Sequence, residues 1–179
     1  MKETFAQYKA RLFGYVGQRD PMAILRQTPS ILQRLVARQS PRRLRRQPKP
    51  GKWSVAEILA HMADVEIVLA YRVRRVLAQP RAPIEAFDQD VWAAALRYRG
   101  IDPAKSLARQ RELRRWNIDL LGRLTAEEWS RFGNHSERGR ESVRDMVKLL
   151  AGHDRNHTGQ VRAVLSSGVR KKPRRRAAS

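Results

Sequence analysis

The sequence predicts an all-α fold, an antiparallel bundle of four longer amphipathic helices with short extra helices. Three observations carry that expectation. Apolar residues recur at helical spacing through several long segments. Capping signals of the form Ser/Thr-x-x-acid stand before three of them: Ser54-Val-Ala-Glu57, Thr125-Ala-Glu-Glu128 and Ser142-Val-Arg-Asp145. No stretch shows sustained period-two alternation rich in valine, isoleucine and threonine. A chain of 179 residues fits one domain with a substantial core.

The elements follow in order. From Glu3 to about Gly17, Phe5, Tyr8, Leu12 and Tyr15 or Val16 share one helical face. Asp20-Pro21 reads as an N-cap with proline at the first helical position, and Thr28-Pro29 repeats that signature before Ile31, Leu32, Leu35 and Val36. Gln39 to Lys52 carries three prolines and a glycine and reads as loop. A long helix runs from Ser54 to about Ala78 on the stripe Val55, Ile58, Leu59, Met62, Val65, Leu69, Val73 and Val76. Gln79-Pro80 ends it, and Arg81 to Glu85 is a connector. Phe87 to Tyr98 is a shorter helix. Asp102-Pro103 opens another with Leu107, Leu113, Trp116, Leu120 and Leu121, ending near Leu124. Thr125 caps a short helix that closes near Phe132, and Gly133 to Arg140 is loop. Ser142 caps the last long helix, to about Ser166, with Gly168 as its stop. Residues 1–168 are expected to form the bundle domain, and 169–179 a basic, disordered C-terminal tail.

Composition narrows the function. There are no cysteines, so disulfides and thiolate ligands are excluded. No apolar run is long enough to span a bilayer, and the N-terminus lacks a signal-type apolar stretch. A cytoplasmic location is the resulting expectation. The net charge is +21, with 38 basic against 17 acidic residues, and it is uneven. Arg42, Arg43, Arg45 and Arg46 stand in one acid-free stretch, and Arg170, Lys171, Lys172, Arg174, Arg175 and Arg176 in the tail. Such patches attract polyanions, nucleic acid included. A solvated loop and tail account for them equally well. No DNA-reading motif is present, and aromatics do not interleave with the tail arginines.

Three of the four histidines hold the chemistry. His153 and His157, in Gly152-His-Asp-Arg-Asn-His-Thr-Gly-Gln160, are four apart and share a helix face with Leu150, Gln160 and Val161. His61 lies beside the apolar stripe of its own helix, between Ile58 and Val65. Converging across a helix seam, three neutral imidazoles would hold a divalent metal and leave positions open for water or substrate. Asp154 stands where the glutamate of His-Glu-x-x-His metalloproteases acts as base, but its shorter side chain favours an exposed or supporting role. Asp64 and Glu66 could orient a ligand imidazole through its second nitrogen, or pair with surface arginines; Gln160 is a further candidate for that supporting role.

These segments carry a resemblance. Pro50-Gly-Lys-Trp-Ser-Val-Ala-Glu-Ile-Leu-Ala-His61-Met-Ala-Asp-Val-Glu66 resembles the first motif of the DinB/YfiT-like superfamily. Phe87-Asp-Gln-Asp-Val-Trp92 with Tyr98 is similar to its middle segment. Asn134-His-Ser-Glu-Arg-Gly139 and Ala151-Gly-His-Asp-Arg-Asn-His-Thr-Gly-Gln160 are similar to its closing motifs. The match runs from about Phe5 to Leu165. The resemblance implies an up-down-down-up four-helix bundle and a divalent metal, often nickel or zinc, on His61, His153 and His157. It also implies a reaction on a small molecule: thiol S-transfer with bacillithiol, mycothiol or glutathione, isomerisation, or hydrolysis. Homodimers are frequent among such proteins. Ser136 stands where many relatives have proline, and His135 is then a loop residue rather than a ligand.

An ion so held would acidify a bound thiol or water at neutral pH. Asp64, Glu66 and Asp154 are base candidates by sequence proximity only, and Arg72 or Arg155 could hold an anionic thiol cofactor. The competing class is a non-catalytic bundle that binds nucleic acid or another polyanion through its basic loop and tail.

Overall fold

The fold is taken from a computed structural model, which describes residues 3–167. Four helices form the bundle: α2 (Pro21–Val36), α4 (Val55–Ala78), α6 (Pro103–Leu121) and α8 (Val143–Ser167). Around the bundle α2 neighbours α6 and α8, and α4 neighbours the same two, so α2 and α4 face each other across the diagonal. Helix α1 (Phe5–Val16) packs along α8. The short helices are α3 (Pro41–Leu44), α5 (Gln89–Ala95) and α7 (Ala126–Ser130), with a 3-10 turn at Tyr98–Gly100.

Two apolar clusters fix the helix directions. One joins Ile24 and Leu25 of α2, Leu69 and Val73 of α4, Leu121 of α6, and Val147 and Leu150 of α8. The other joins Leu32, Ile58, Leu59, Met62 and Val161, with Leu107 packed against it. The start of α2 therefore lies beside the end of α4, the end of α6 and the start of α8. That is the up-down-down-up order the resemblance implied. Each fully buried leucine or isoleucine contributes roughly 1.5–3 kcal/mol, so the two clusters dominate the stability. No helix among the described residues is long and apolar enough to cross a membrane.

The capping signals act as read. Ser54 Oγ accepts from the Glu57 amide at 3.3 Å while the Glu57 carboxylate accepts from the Ser54 amide at 2.8 Å. Thr125 with Glu128 and Ser142 with Asp145 repeat the pattern. At Gly152, α1 crosses α8 so closely that a β-carbon would meet the Leu12 carbonyl oxygen at 2.2 Å. Only glycine permits that approach beside His153.

Three expectations are corrected. Thr28-Pro29 does not open a helix; both residues lie buried inside α2, and the Thr28 hydroxyl donates to the Ile24 carbonyl at 2.9 Å. The stretch read as loop from Gln39 to Lys52 contains α3, capped by Ser40. The segment read as loop from Gly133 to Arg140 belongs to a three-stranded sheet: β1 (Pro83–Ile84) runs parallel to β2 (Phe132–His135), which runs antiparallel to β3 (Gly139–Ser142). Strands of two to four residues are too short for alternation to register. The expected stop at Gly168 and the basic tail lie outside the described residues.

Candidate metal centre

Helix α4 contributes His61, and α8 contributes His153 and His157 one turn apart. All three are buried. Their ring centroids lie 4.3–5.0 Å from one another. Nε2 of His61 and Nε2 of His153 are 2.9 Å apart, and one nitrogen from each of the three rings falls within 4.8 Å of the others. Trp53, at the mouth of α4, lies 4.9 Å from the His61 ring and stacks on His157 at 6.4 Å. The indole covers the cluster from the loop side.

Burial sets the electrostatics. It pushes the His61 pKa down to about 3, with the field of His157 adding to the effect. It pushes His157 down to about 4, opposed by the hydrogen bond to Gln160. His153 falls well below the usual range by burial, then by its two neighbours. All three rings are neutral at pH 7 and present lone pairs, which is the ligand form of imidazole. A divalent ion sits about 2.0–2.1 Å from imidazole nitrogen. Two ring nitrogens 2.9 Å apart can share one ion at that distance. The donor set fits a metal.

Of the four supporting candidates, the structure brings one to a histidine. Gln160 Oε1 lies 2.9 Å from His157 Nδ1, so Nδ1 donates and Nε2 is left free. Nδ1 of His61 and Nδ1 of His153 have no hydrogen-bond partner among the described residues. Asp64 accepts instead from the Tyr98 hydroxyl at 2.6 Å. Glu66 and Asp154, each at most 1% exposed, are held by Arg114 of α6. Asp154 is therefore neither exposed nor bonded to an imidazole. His135 lies on β2, outside the cluster, where its Nδ1 accepts from the Glu137 amide at 3.1 Å.

Sequence reading missed Arg114, and its role explains Pro29. Proline at position 29 has no N–H for the carbonyl four residues earlier, that of Leu25. Arg114 Nη1 donates to the Leu25 carbonyl at 2.8 Å. Its other donors go to Glu66, through Nε at 2.8 Å and Nη2, and to Asp154 at 2.7 and 3.1 Å. All five guanidinium protons are used. One residue of α6 thus joins α2, α4 and α8. Burial opposes its charge, but Asp154 and Glu66 outweigh burial and keep it protonated. Asn117 and Gln110 complete the shell around Glu66.

A cavity of about 820 Å³ opens beside the cluster, with His61 and His153 in its wall. Arg72 also lines it, whereas Arg155 is exposed elsewhere. Of the loop arginines, Arg42, Arg45 and Arg46 are exposed, and Arg43 donates to the Leu165 carbonyl at 2.6 Å. Arg170, Lys171, Lys172, Arg174, Arg175 and Arg176 lie outside the described residues.

A buried histidine cluster on this bundle agrees with the family assignment. The chain belongs to the DinB superfamily, whose family model matches residues 24–161. It is 25% identical over 158 residues to a Bacillus subtilis protein named "Putative metal-dependent hydrolase YfiT", covering 87% of this chain and 88% of that one. A protein of Oceanobacillus iheyensis, also named a "Putative metal-dependent hydrolase", is 26% identical over 125 residues, 66% of this chain and 68% of its own. The solved structure of Bacillus subtilis YfiT, described as a four-helix bundle of unusual topology, superposes with a TM-score of 0.76 at 20% identity. That likeness covers 92% of this chain and 89% of YfiT, and it shows the shared fold.

Proposed function

We propose that this protein is a metal-dependent enzyme that hydrolyses a small molecule, using one divalent ion held by His61, His153 and His157. The observation that carries the reading is the 2.9 Å approach of two buried, neutral Nε2 atoms in the wall of a cavity. The names of the relatives support it. Nickel and zinc are the ions in view, since both suit imidazole donors.

The ion would supply Lewis acidity, lowering the pKa of a nucleophile at neutral pH. The chain's own residues do the rest. Burial keeps the three rings unprotonated. Gln160 holds His157 in the Nδ1–H form. Trp53 shields the rings on one side and leaves the cavity side open. Tyr98, whose hydroxyl donates to Asp64, closes the wall behind Trp53 at 6.4 Å. Thiol S-transfer is the other reaction such a centre serves.

Elemental mass spectrometry on untagged protein tests the reading, with H61A as control. About one nickel or zinc per chain, lost in H61A, is the expected result, followed by turnover in a screen of ester, amide and thiol-plus-electrophile substrates. No metal in either sample after reloading would overturn it.

A further inference from the structure

The cavity has two chemically different ends. His61 stands at one. Along the same wall of α4 follow Val65, Val68 and Leu69, then Arg72. Positions 61 to 72 span about 16 Å of helix axis at roughly 1.5 Å per residue. Met146, Leu149 and Leu150 of α8 complete an apolar middle.

Arg72 is a half-buried cation with no ion pair within 4.0 Å among the described residues, although the fields of Glu141 and Glu137 reach it. Its Nη2 donates to the Glu85 carbonyl at 2.5 Å and its guanidinium lies 5.8 Å from the Phe87 ring, so its position is set. Burial, then the neighbouring Arg138, pushes its pKa down to about 10, and it stays charged at pH 7. The carboxylates nearest the cavity are engaged. Glu141 takes two bonds from Arg138 at 2.9 Å, Glu3 takes two from Arg11 at 2.8 and 2.9 Å, and Asp88 accepts the amides of Asp90 and Val91. Asp90 and Glu137 are exposed at the rim. A half-buried guanidinium with spare donors facing a cavity is suited to a planar anion.

We propose that the cavity takes an elongated small molecule with a carboxylate at one end bound by Arg72, an apolar middle, and its reacting group at the histidine end. The placement of the reacting group rests on the metal-centre reading; the anion subsite does not. A ligand of this shape would lie along the apolar wall, and the Arg72 contact would fix which end meets the histidines.

Titration calorimetry on full-length, metal-stripped protein with octanoate and octanamide tests the subsite. Stripping the metal removes the other place where a carboxylate would bind. Octanoate is expected to bind at least tenfold more tightly than octanamide. R72Q should abolish that preference while leaving octanamide affinity unchanged, and H153A should retain it. If R72Q does not fold, R72K keeps the charge without the two-pronged donor and should cut the preference to a few-fold. Equal affinities, no octanoate binding, a preference unchanged in R72Q or R72K, or one lost in H153A would each overturn the proposal. Protein that takes up no metal on reloading yet shows this octanoate preference would instead refute the metal centre alone.

Discussion

Two groups of buried polar side chains lie side by side between α4 and α8, and they are built on opposite rules. In the Arg114 cluster every guanidinium proton is used, and Glu66 is also held by Gln110 and Asn117, with Gln110 Oε1 left unpartnered. The histidine cluster is left open, with two Nδ1 atoms unpartnered and two Nε2 atoms facing each other. Two neutral imidazole nitrogens 2.9 Å apart bring two lone pairs together, an arrangement that a shared cation relieves. The Arg114 cluster holds helices together; the open one is where a ligand belongs.

The largest effect should come from breaking the Arg114 cluster. Arg114→Met strands Glu66 and Asp154 and should cost about 3–5 kcal/mol in urea unfolding, enough to prevent folding in a marginal host. Adding Glu66→Leu and Asp154→Leu should recover most of that loss, because burying an ion cluster gains little over apolar packing. A single variant as stable as the wild type would show that the cluster does not clamp the bundle.

Next comes the open cluster. His153→Ala should remove metal almost completely, read by elemental analysis, while the circular dichroism spectrum stays helical. Retained stoichiometric metal would dissolve the contrast between the two clusters.

Acid should separate the clusters further. The folded pKa values of His61 and His157, about 3 and about 4, lie below the unfolded value near 6.5. The unfolded state then binds more protons, so these histidines contribute stability above pH 6.5 that is lost as pH falls toward 4. Each gives a slope of at most about 1.4 kcal/mol per pH unit. In metal-free protein the urea midpoint should fall across that window, and His61→Leu should flatten the fall. Parallel curves for the two proteins would contradict the neutral, buried assignment.

The smallest effect is at Gln160. Gln160→Leu frees His157 Nδ1 and should weaken metal affinity about 10-fold to 100-fold without loss of stoichiometry at saturation. An unchanged dissociation constant would mean that His157 is oriented by packing alone, under Trp53.

Much of this was legible in one sequence. The four long helices showed in their apolar spacing and caps. His153, His157 and Gln160 showed because positions one turn apart share a face, and His61 because it lies beside the apolar stripe of its own helix. What stayed hidden depends on distant partners. Arg114 looks like one of many arginines on a strongly basic helix, and its partners lie 40, 48 and 89 positions away. Thr28-Pro29 misled because a local start signal was overridden by tertiary packing: α2 continues through the proline, and the carbonyl left without its helical partner is taken by Arg114. Asp64, Glu66 and Asp154 stand close to histidines in sequence, but their carboxylates turn to Tyr98 and Arg114. Short strands carry no period long enough to detect.

The small sheet at the cavity mouth has a further consequence. Its hairpin presents Glu137 and Arg138 between β2 and β3, while the histidines ride on α4 and α8. Backbone pairing to β1 anchors the strands, and Gly139 turns with a positive φ of 69°. Glu137 is exposed at the tip, so the charge there can change without shifting a bundle helix, whereas Arg138 is tied to buried Glu141 and Gly139 needs its positive φ. In evolutionary terms the hairpin tip is an exchangeable adapter on a fixed reactive chassis. A lineage could acquire new substrates there by a change of charge, and directed evolution of this protein should randomise Glu137 first.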